Sequence, residues 1–523
     1  MRTSRPRPSR YAFAASAAAA LLLAGCASLQ PEALRSAEIA ETAHADKLAL
    51  ARGVEPLNGP LTLEDAIARA IKYNAERRLK AMEEAIAAGT LDVGRYDMLP
   101  KLVAAAGYHS RNNDLTTRSK DSVTGAPSLA NPFISSDRSA STTDLGFSWS
   151  LLDFGQSYYA ARQNADRVLI AAEHRRKSLH NLIQDVRTAY WRVVAAQQLI
   201  GTLRSTIAEA EAALADARQA ENERQRSPVE PLRYQRQVLE NLRLLETIEQ
   251  ELSTARIELA ALASLPLAHS FTVVEPAAGV NTVWLDVSVD KMEERALLNN
   301  PDLRESIYNG RIAQQETRRT LLKIFPGLSF NYAVKTSNDS YLINQNWNEV
   351  GAQLSLNLLG LLAAPAQMRL ADAGVMLADQ KRMTTQMAVL TQLHIARLQY
   401  ANAAHQFARA DAIAAVDARL AGHVANQEEA GKQTRLDRVA QQTATILSQL
   451  RRYQALSNAQ TAAAKLQATL GLEPLIGAQE DIPLADLRAA VGRAIVAWNS
   501  GSAALLSTPE EKQAPLVTTS ERK

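Results

Sequence analysis

The sequence predicts a mainly α-helical chain with a β-barrel contribution, built from a duplicated unit of helix, β-hairpin, long helix and return helix. Three observations predict it. Of 523 residues only 5% are aromatic and 46% hydrophobic, much of that alanine, a composition that favours long, closely packed helices. Four short segments alternate apolar and polar residues, the period of a strand with two unlike faces. Landmarks in the first half of the chain return in the second at nearly constant offsets.

Charge and cysteine usage remove several functions. Lys and Arg number 58 against 55 Asp and Glu, a net +3, but Arg2, Arg5, Arg7 and Arg10 lie in an N-terminal segment that holds no acid. Without residues 1–25 the balance is −1, so charge gives no reason to expect nucleic acid as a partner. One cysteine excludes a disulfide framework and a multi-cysteine zinc site, and the eight histidines include no HExxH, so no metal or other cofactor is expected. His174, His180, His394 and His405 fall on helical stretches without a catalytic partner pattern, and Gly94 and Gly107 do not make a phosphate cradle. The chain does not read as an enzyme.

The N-terminus reads as an export signal. Residues 1–10 carry arginines, Tyr11–Ala24 is apolar apart from Ser16, and Leu23-Ala24-Gly25-Cys26 follows. The apolar run is too short to span a bilayer as helix and has the anatomy of a signal peptide over 1–25. Its ending resembles a bacterial lipoprotein box, which implies cleavage before Cys26 and acylation of that cysteine. Residues 26–61 then form an acylated linker. Ala27 rather than aspartate follows the cysteine, which implies the outer membrane of a Gram-negative bacterium.

No later stretch offers 18 consecutive apolar residues, so a membrane crossing must be made by strands closed into a barrel. Segments 101–109, 145–152, 328–335 and 350–358 alternate as such strands should. Phe147, Trp149, Phe330, Tyr332, Leu354 and Leu356 are the candidate lipid-facing residues, because aromatics concentrate here in a chain otherwise poor in them. Half-buried hairpins on a soluble sheet are the alternative.

The remainder predicts helix. Thr62–Met98 reads as one segment with Thr62 as N-cap and Glu64 and Asp65 in the first turn. From 156 to 226 there is no proline, and Leu179, Val186, Val193, Ile200 and Ile207 recur every seven residues with Ile183 and Tyr190 between them, a coiled-coil seam. Ser227-Pro228-Val229-Glu230 is a capping box opening a return helix over 228–265. After a connection at 266–285 the order repeats over 286–474, with a long helix at 361–421 and a return helix at 434–470. Asn74 and Pro100 match Asn300 and Pro326 at 226 residues on, Gly155 matches Gly360 at 205, and the Thr434–Asp437 capping box lies 207 after the first. Such a long repeat signals duplication rather than a solenoid. Residues 475–523 are expected to be an irregular tail.

The order helix, hairpin, helix, helix, twice over about 62–474, resembles the TolC-type outer-membrane efflux proteins. So do Thr62-Leu63-Glu64-Asp65-Ala66-Ile67, Tyr73-Asn74, Leu99-Pro100 entering a strand, and Leu151-Leu152-Asp153-Phe154-Gly155 leaving one. The second strand exit, Asn357-Leu358-Leu359-Gly360, lacks the usual aspartate. The first helical tip, 221–227, lacks a glycine where the second has Gly431. The anchor resembles the drug-efflux branch. The resemblance implies a homotrimer with a shared 12-stranded outer-membrane barrel, continued by a periplasmic α-helical barrel. It implies a passive duct seated in outer-membrane lipid and served by an inner-membrane pump through a periplasmic adaptor. A type I protein or polysaccharide secretion channel and a coiled-coil structural lipoprotein stay open as alternatives. In the family a carboxylate near the start of the second return helix lines the periplasmic constriction. Asp437 falls there, with Glu230 at the matching place in the first half, and both are candidate gate residues. Asp437 is also the third residue of a capping box, which any helix start could use.

Overall fold

The computed structural model describes residues 33–127, 132–222, 229–267, 270–276, 279–472 and 482–500. It divides into two units, Met1–Pro56 and Leu57–Lys523. In the first, a helix α1 spans Ser36–Ala51 inside what the sequence suggested was linker. Its alanine-rich run lacks glycine and proline, and Glu38 accepts from the Arg35 amide at 3.1 Å, closing its first turn.

The second unit holds both repeats. The first opens with α2 (Leu63–Tyr73) and α3 (Ala75–Tyr96). The single helix expected over 62–98 is therefore broken at Asn74, whose backbone turns extended (φ −60°, ψ 129°). Asn74 Oδ1 accepts from the amides of Glu76 (3.0 Å) and Arg77 (3.2 Å), so the side chain restarts the helix it interrupts. Strands β1 (Lys101–Ser110) and β4 (Ser139–Ser150) follow, and the loop between them carries a two-residue ladder of β2 (Thr116–Thr117) with β3 (Phe133–Ile134).

Helix α4 covers Leu151–Asn222, starting five residues before the expected 156, directly at the end of β4. Of its expected seam, Ile183, Val186, Tyr190 and Val193 are buried and Leu179, Ile200 and Ile207 half-buried, and a second heptad row of Leu182, Ala189, Leu203, Ala210 and Ala217 is buried. The two rows are three residues apart and so lie side by side on one face, and α4 touches helices of both repeats. The return helix expected as one piece over 228–265 is α5 (Val229–Ser253) and α6 (Ala255–Leu262). The Ser253 hydroxyl donates to the Gln250 carbonyl at 2.8 Å, competing with the helix ladder at the break.

The second repeat comprises α7 (Val289–Asn299), α8 (Pro301–Leu322), β5 (Gly327–Ser337), β6 (Asn346–Ser355), α9 (Leu358–Glu429) and α10 (Arg435–Thr469). Asn300 breaks α7 from α8 as Asn74 does in the first repeat, accepting from Asp302 (3.0 Å) and Leu303 (3.3 Å). The tail expected to be irregular from 475 contains α11 (Leu484–Ser500). Leu484, Leu487, Val491 and Trp498 recur at helical spacing and are buried, with α11 packed on α2; its alanines had blurred that period in the sequence.

All four long strands form one antiparallel sheet in the order β1-β4-β5-β6, so each repeat gives one hairpin and the hairpins join at β4–β5. The repeats are also tied through their connection. Leu61 bridges Val273 in parallel, and the Gln197 amide both donates to the Val273 carbonyl (3.0 Å) and accepts from its N–H (2.9 Å). The Tyr190 hydroxyl sits 2.9 Å from the Leu61 carbonyl and 2.6 Å from that of Val274.

Candidate functional site

Two places in the second unit carry chemistry, the sheet and the second helical tip. In an antiparallel ladder, residues directly opposite share a face. The register places Leu102 opposite Phe147, Phe147 opposite Tyr332, and Tyr332 opposite Val350. It likewise pairs Trp149 with Phe330 and Leu328 with Leu354. The alternating sets of all four strands thus fall on one continuous apolar face. The opposite face carries Ser148, Ser329, Asn331, Gln353 and a Lys335–Glu349 ion pair. Of the candidate lipid-facing residues, Phe147, Phe330, Tyr332 and Leu354 are exposed on the apolar face. Trp149 is half-buried against Phe154, edge to face at 5.8 Å. Leu356 lies beyond the strand, because β6 ends at Ser355 and not at 358.

The loops at one end of the sheet are joined across the repeats. Asp137 accepts from Ser340, amide at 2.5 Å and hydroxyl at 2.8 Å, and the Ser141 amide donates to Asn338 Oδ1 at 2.7 Å. The Ser340 donors hold the Asp137 carboxyl below the usual carboxylate range. Arg138 grips Asp114 with both arms at 2.6 Å, which lowers that carboxyl likewise. At the other end of the sheet β4 runs straight into α4, and β6 leads into α9 through Leu356 and Asn357. The two exits are capped by different side chains. Ser150 Oγ caps Asp153 N (3.2 Å) in the first exit, and Asn357 Oδ1 caps Gly360 N (2.9 Å) in the second.

The second tip closes between α9 and α10. Gly431 takes the left-handed conformation (φ +68°), and the Lys432 amide returns to the Gln427 carbonyl at 2.8 Å. Thr434 and Asp437 form the expected capping box. Thr434 Oγ1 accepts from the Asp437 amide (3.2 Å), while Asp437 Oδ2 accepts from the Thr434 amide (3.0 Å) and hydroxyl (2.6 Å). Those donors hold the exposed Asp437 carboxyl below its ordinary 3.8. Sequence reasoning missed the arginines beside it. Arg435 reaches Asp216 (2.9 Å), and Arg438 reaches Glu209 (3.2 Å) and Glu428 (3.3 Å), tying α10 to α4 and α9. The signal was legible: Glu209 and Asp216 stand one heptad apart, and Arg435 and Arg438 one turn apart. Beneath them Ala210, Leu214, Val238, Leu242 and Val439 form a small core. Glu230 lies in the first turn of α5, and its side chain is outside what the structure describes. Ser227 of the first capping box, most of the first tip and Cys26 lie outside the described residues.

Comparison with known proteins agrees with this arrangement. Residues 66–264 match the family model described as outer membrane efflux protein. No curated protein matches the sequence. The Campylobacter jejuni CmeC outer membrane channel superposes with a TM-score of 0.61 at 14% identity, covering 90% of this chain and 97% of that one. The open state of the Neisseria gonorrhoeae MtrE outer membrane channel gives 0.58 at 14% identity, over 78% and 88%. The outer membrane protein VceC of Vibrio cholerae gives 0.55 at 14%, over 78% and 96%. The chain thus has the fold of these outer membrane channels, and residues 66–264, its first repeat, match the outer membrane efflux protein model.

Proposed function

We propose that three copies of this chain form a passive duct through the outer membrane, receiving substrates from an inner-membrane pump by way of a periplasmic adaptor. The observation that carries this reading is the single apolar face shared by all four strands at one end of very long helices. At 1.5 Å per residue the 72 residues of α9 extend about 108 Å, far more than a bilayer needs. A coiled-coil spacer gives no reason for such a face. In the bilayer, unpaired backbone groups are costly, and the sheet has two open edges, β1 and β6. Further copies supply the missing neighbours: three give twelve strands, enough to enclose water where eight are filled by their own side chains. The helices also present unmet seams, Leu79, Met82, Ile86 and Val93 on α3, and Leu370, Leu377 and Leu398 in one heptad register on α9. A ring of copies covers α3 with a neighbour's α9.

In this reading Cys26 carries lipid and the joined loops face the cell exterior, where outer-membrane barrels place their longer loops. The second tip is the periplasmic end. There Arg435 and Arg438 hold it shut, and three copies of Asp437 form a carboxylate ring that favours cations. Purified protein added to planar bilayers should give stepwise, cation-preferring conductance. Protein that inserts and gives no steps would overturn the duct. Adaptor crosslinking from the Gly422–Gln433 tip, surface labelling of a tag near Gly125 on intact cells, and an acyl increment on the Cys26 peptide test the remaining parts.

A further inference from the structure

Away from the sheet and the tip, a buried cation has no counter-charge among the described residues. Arg187, on α4, is 3% exposed, and its Nε and Nη1 have no hydrogen-bond partner among the described residues. Its guanidinium lies over the Trp498 ring at 5.3 Å and lines a cavity shared by four helices and the connection between the repeats. Asn281, Tyr400, Gln460, Gln467 and Asn499 supply polar groups to the wall, and the lining includes no acid. Trp284 is locked in place by donating its indole N–H to the Trp498 carbonyl at 2.7 Å.

An uncompensated buried charge is strongly destabilising unless it neutralises or finds a partner. Neutralisation fails here. Burial brings the Arg187 guanidinium down only to about 10, so it stays protonated at neutral pH. Burial pushes the Tyr400 phenol up to about 12, so it is a neutral donor and not the counter-ion. The Trp498 ring face offers partial compensation, but a ring leaves the in-plane N–H groups of the fork unmet. The room at the centre is about 20 Å³, enough for one water-sized occupant and too little for sulfate or phosphate.

We propose that Arg187 and the amide side chains around it bind a small monovalent anion of chloride's size. Such an ion would satisfy both orphaned nitrogens, accept from the surrounding side-chain amides and sit against the electropositive edges of the indoles. It would join α4, the inter-repeat connection, α9, α10 and the C-terminal helix α11 at one point. The site is independent of what the duct carries.

Bromide, an anomalous scatterer of nearly the same size, is the probe. Crystals of the full chain grown in bromide should show an anomalous peak within hydrogen-bonding distance of Arg187 Nε or Nη1. In solution, the melting temperature should be about 1–2 °C higher in chloride or bromide than in gluconate at matched ionic strength. Arg187→Met should abolish that difference. No bromide peak in this cavity overturns the proposal, whatever salt does to melting. The wild-type crystal decides the matter even if Arg187→Met fails to fold, because a cavity holding only water gives no anomalous signal.

Discussion

The two repeats end their return helices with the same backbone and different residues. Ser264 and Gly471, 207 positions apart, both take the left-handed conformation, at φ 53° and 66°. The bonds around them match: the Leu265 amide reaches the Ala260 carbonyl at 2.8 Å, and the Leu472 amide reaches the Gln467 carbonyl at 3.0 Å. Serine bears the torsional strain in the first repeat. In the second it could not, because a Cβ on Gly471 would stand 2.4 Å from the Asn299 carbonyl oxygen. The helix breaks differ in the same sense. Asn300 is buried and its amide also donates to the Thr469 carbonyl at 3.1 Å. Asn74 is only half-buried, and Arg77 and Arg78 cover the nearby carbonyls of Ile71 (2.5 Å) and Tyr73 (2.6 Å) instead. Duplication kept the backbone path while the second junction closed tightly and the first stayed open to solvent.

Exchanging these residues tests the contrast. Gly471→Ser should be the most damaging, since it adds left-handed strain to a clash with backbone, costing about 3 kcal/mol by denaturant melts. A cost below about 1 kcal/mol would show that the second junction is not tight. Asn300→Ala removes a cap and orphans the Thr469 carbonyl, for about 2 kcal/mol, whereas Asn74→Ala should lose only about 1 kcal/mol. Equal losses in a paired melt would erase the distinction between the breaks.

At the tip Thr434→Ala should cost about 1 kcal/mol as a lost cap. Asp437→Asn should leave melting nearly unchanged and lower the cation preference of single channels. Unchanged selectivity with a lower melting point would make Asp437 a cap alone. Because the folded Asp437 carboxyl lies below 3.8, its contribution is complete above that value and fades only as acid carries pH through the lower folded one. Selectivity that titrates clearly above pH 4 would therefore mark the crowding of three carboxylates in a ring. The smallest expected effect has the opposite sign: Ser264→Gly should stabilise by about 0.5 kcal/mol, strain relief outweighing the added chain entropy. A loss of stability there would mean Ser264 is not strained.

Much of this was legible because the signals were periodic. Alternation in four strands gave the apolar face, and the register then placed all four sets on the same side. The heptads of α4 gave one seam, but its second row is rich in alanine, which carries little hydrophobic contrast in a sequence. Alanine hid α11 for the same reason. The breaks at Asn74 and Asn300 were visible as matched positions but not as breaks, because asparagine restarts a helix as readily as it ends one. The heptad spacing of Glu209 and Asp216 and the one-turn spacing of Arg435 and Arg438 were legible, but their pairing needed the approach of α4 to α10, which no local pattern contains.

One joint in the fold has a mechanical consequence. Between β4 and α4 no residue intervenes: Ser150 closes the strand and Leu151 opens the helix. A twist applied anywhere along α4 must therefore reach the sheet as torque, since there is no compliant segment to absorb it. Between β6 and α9, Leu356 and Asn357 intervene, and Pro365 removes a backbone donor two turns into the helix. The two long helices are thus unequally stiff where they meet the sheet. A rotation imposed on α9 would be taken up at that joint before it reached the sheet, whereas the same rotation imposed on α4 would not.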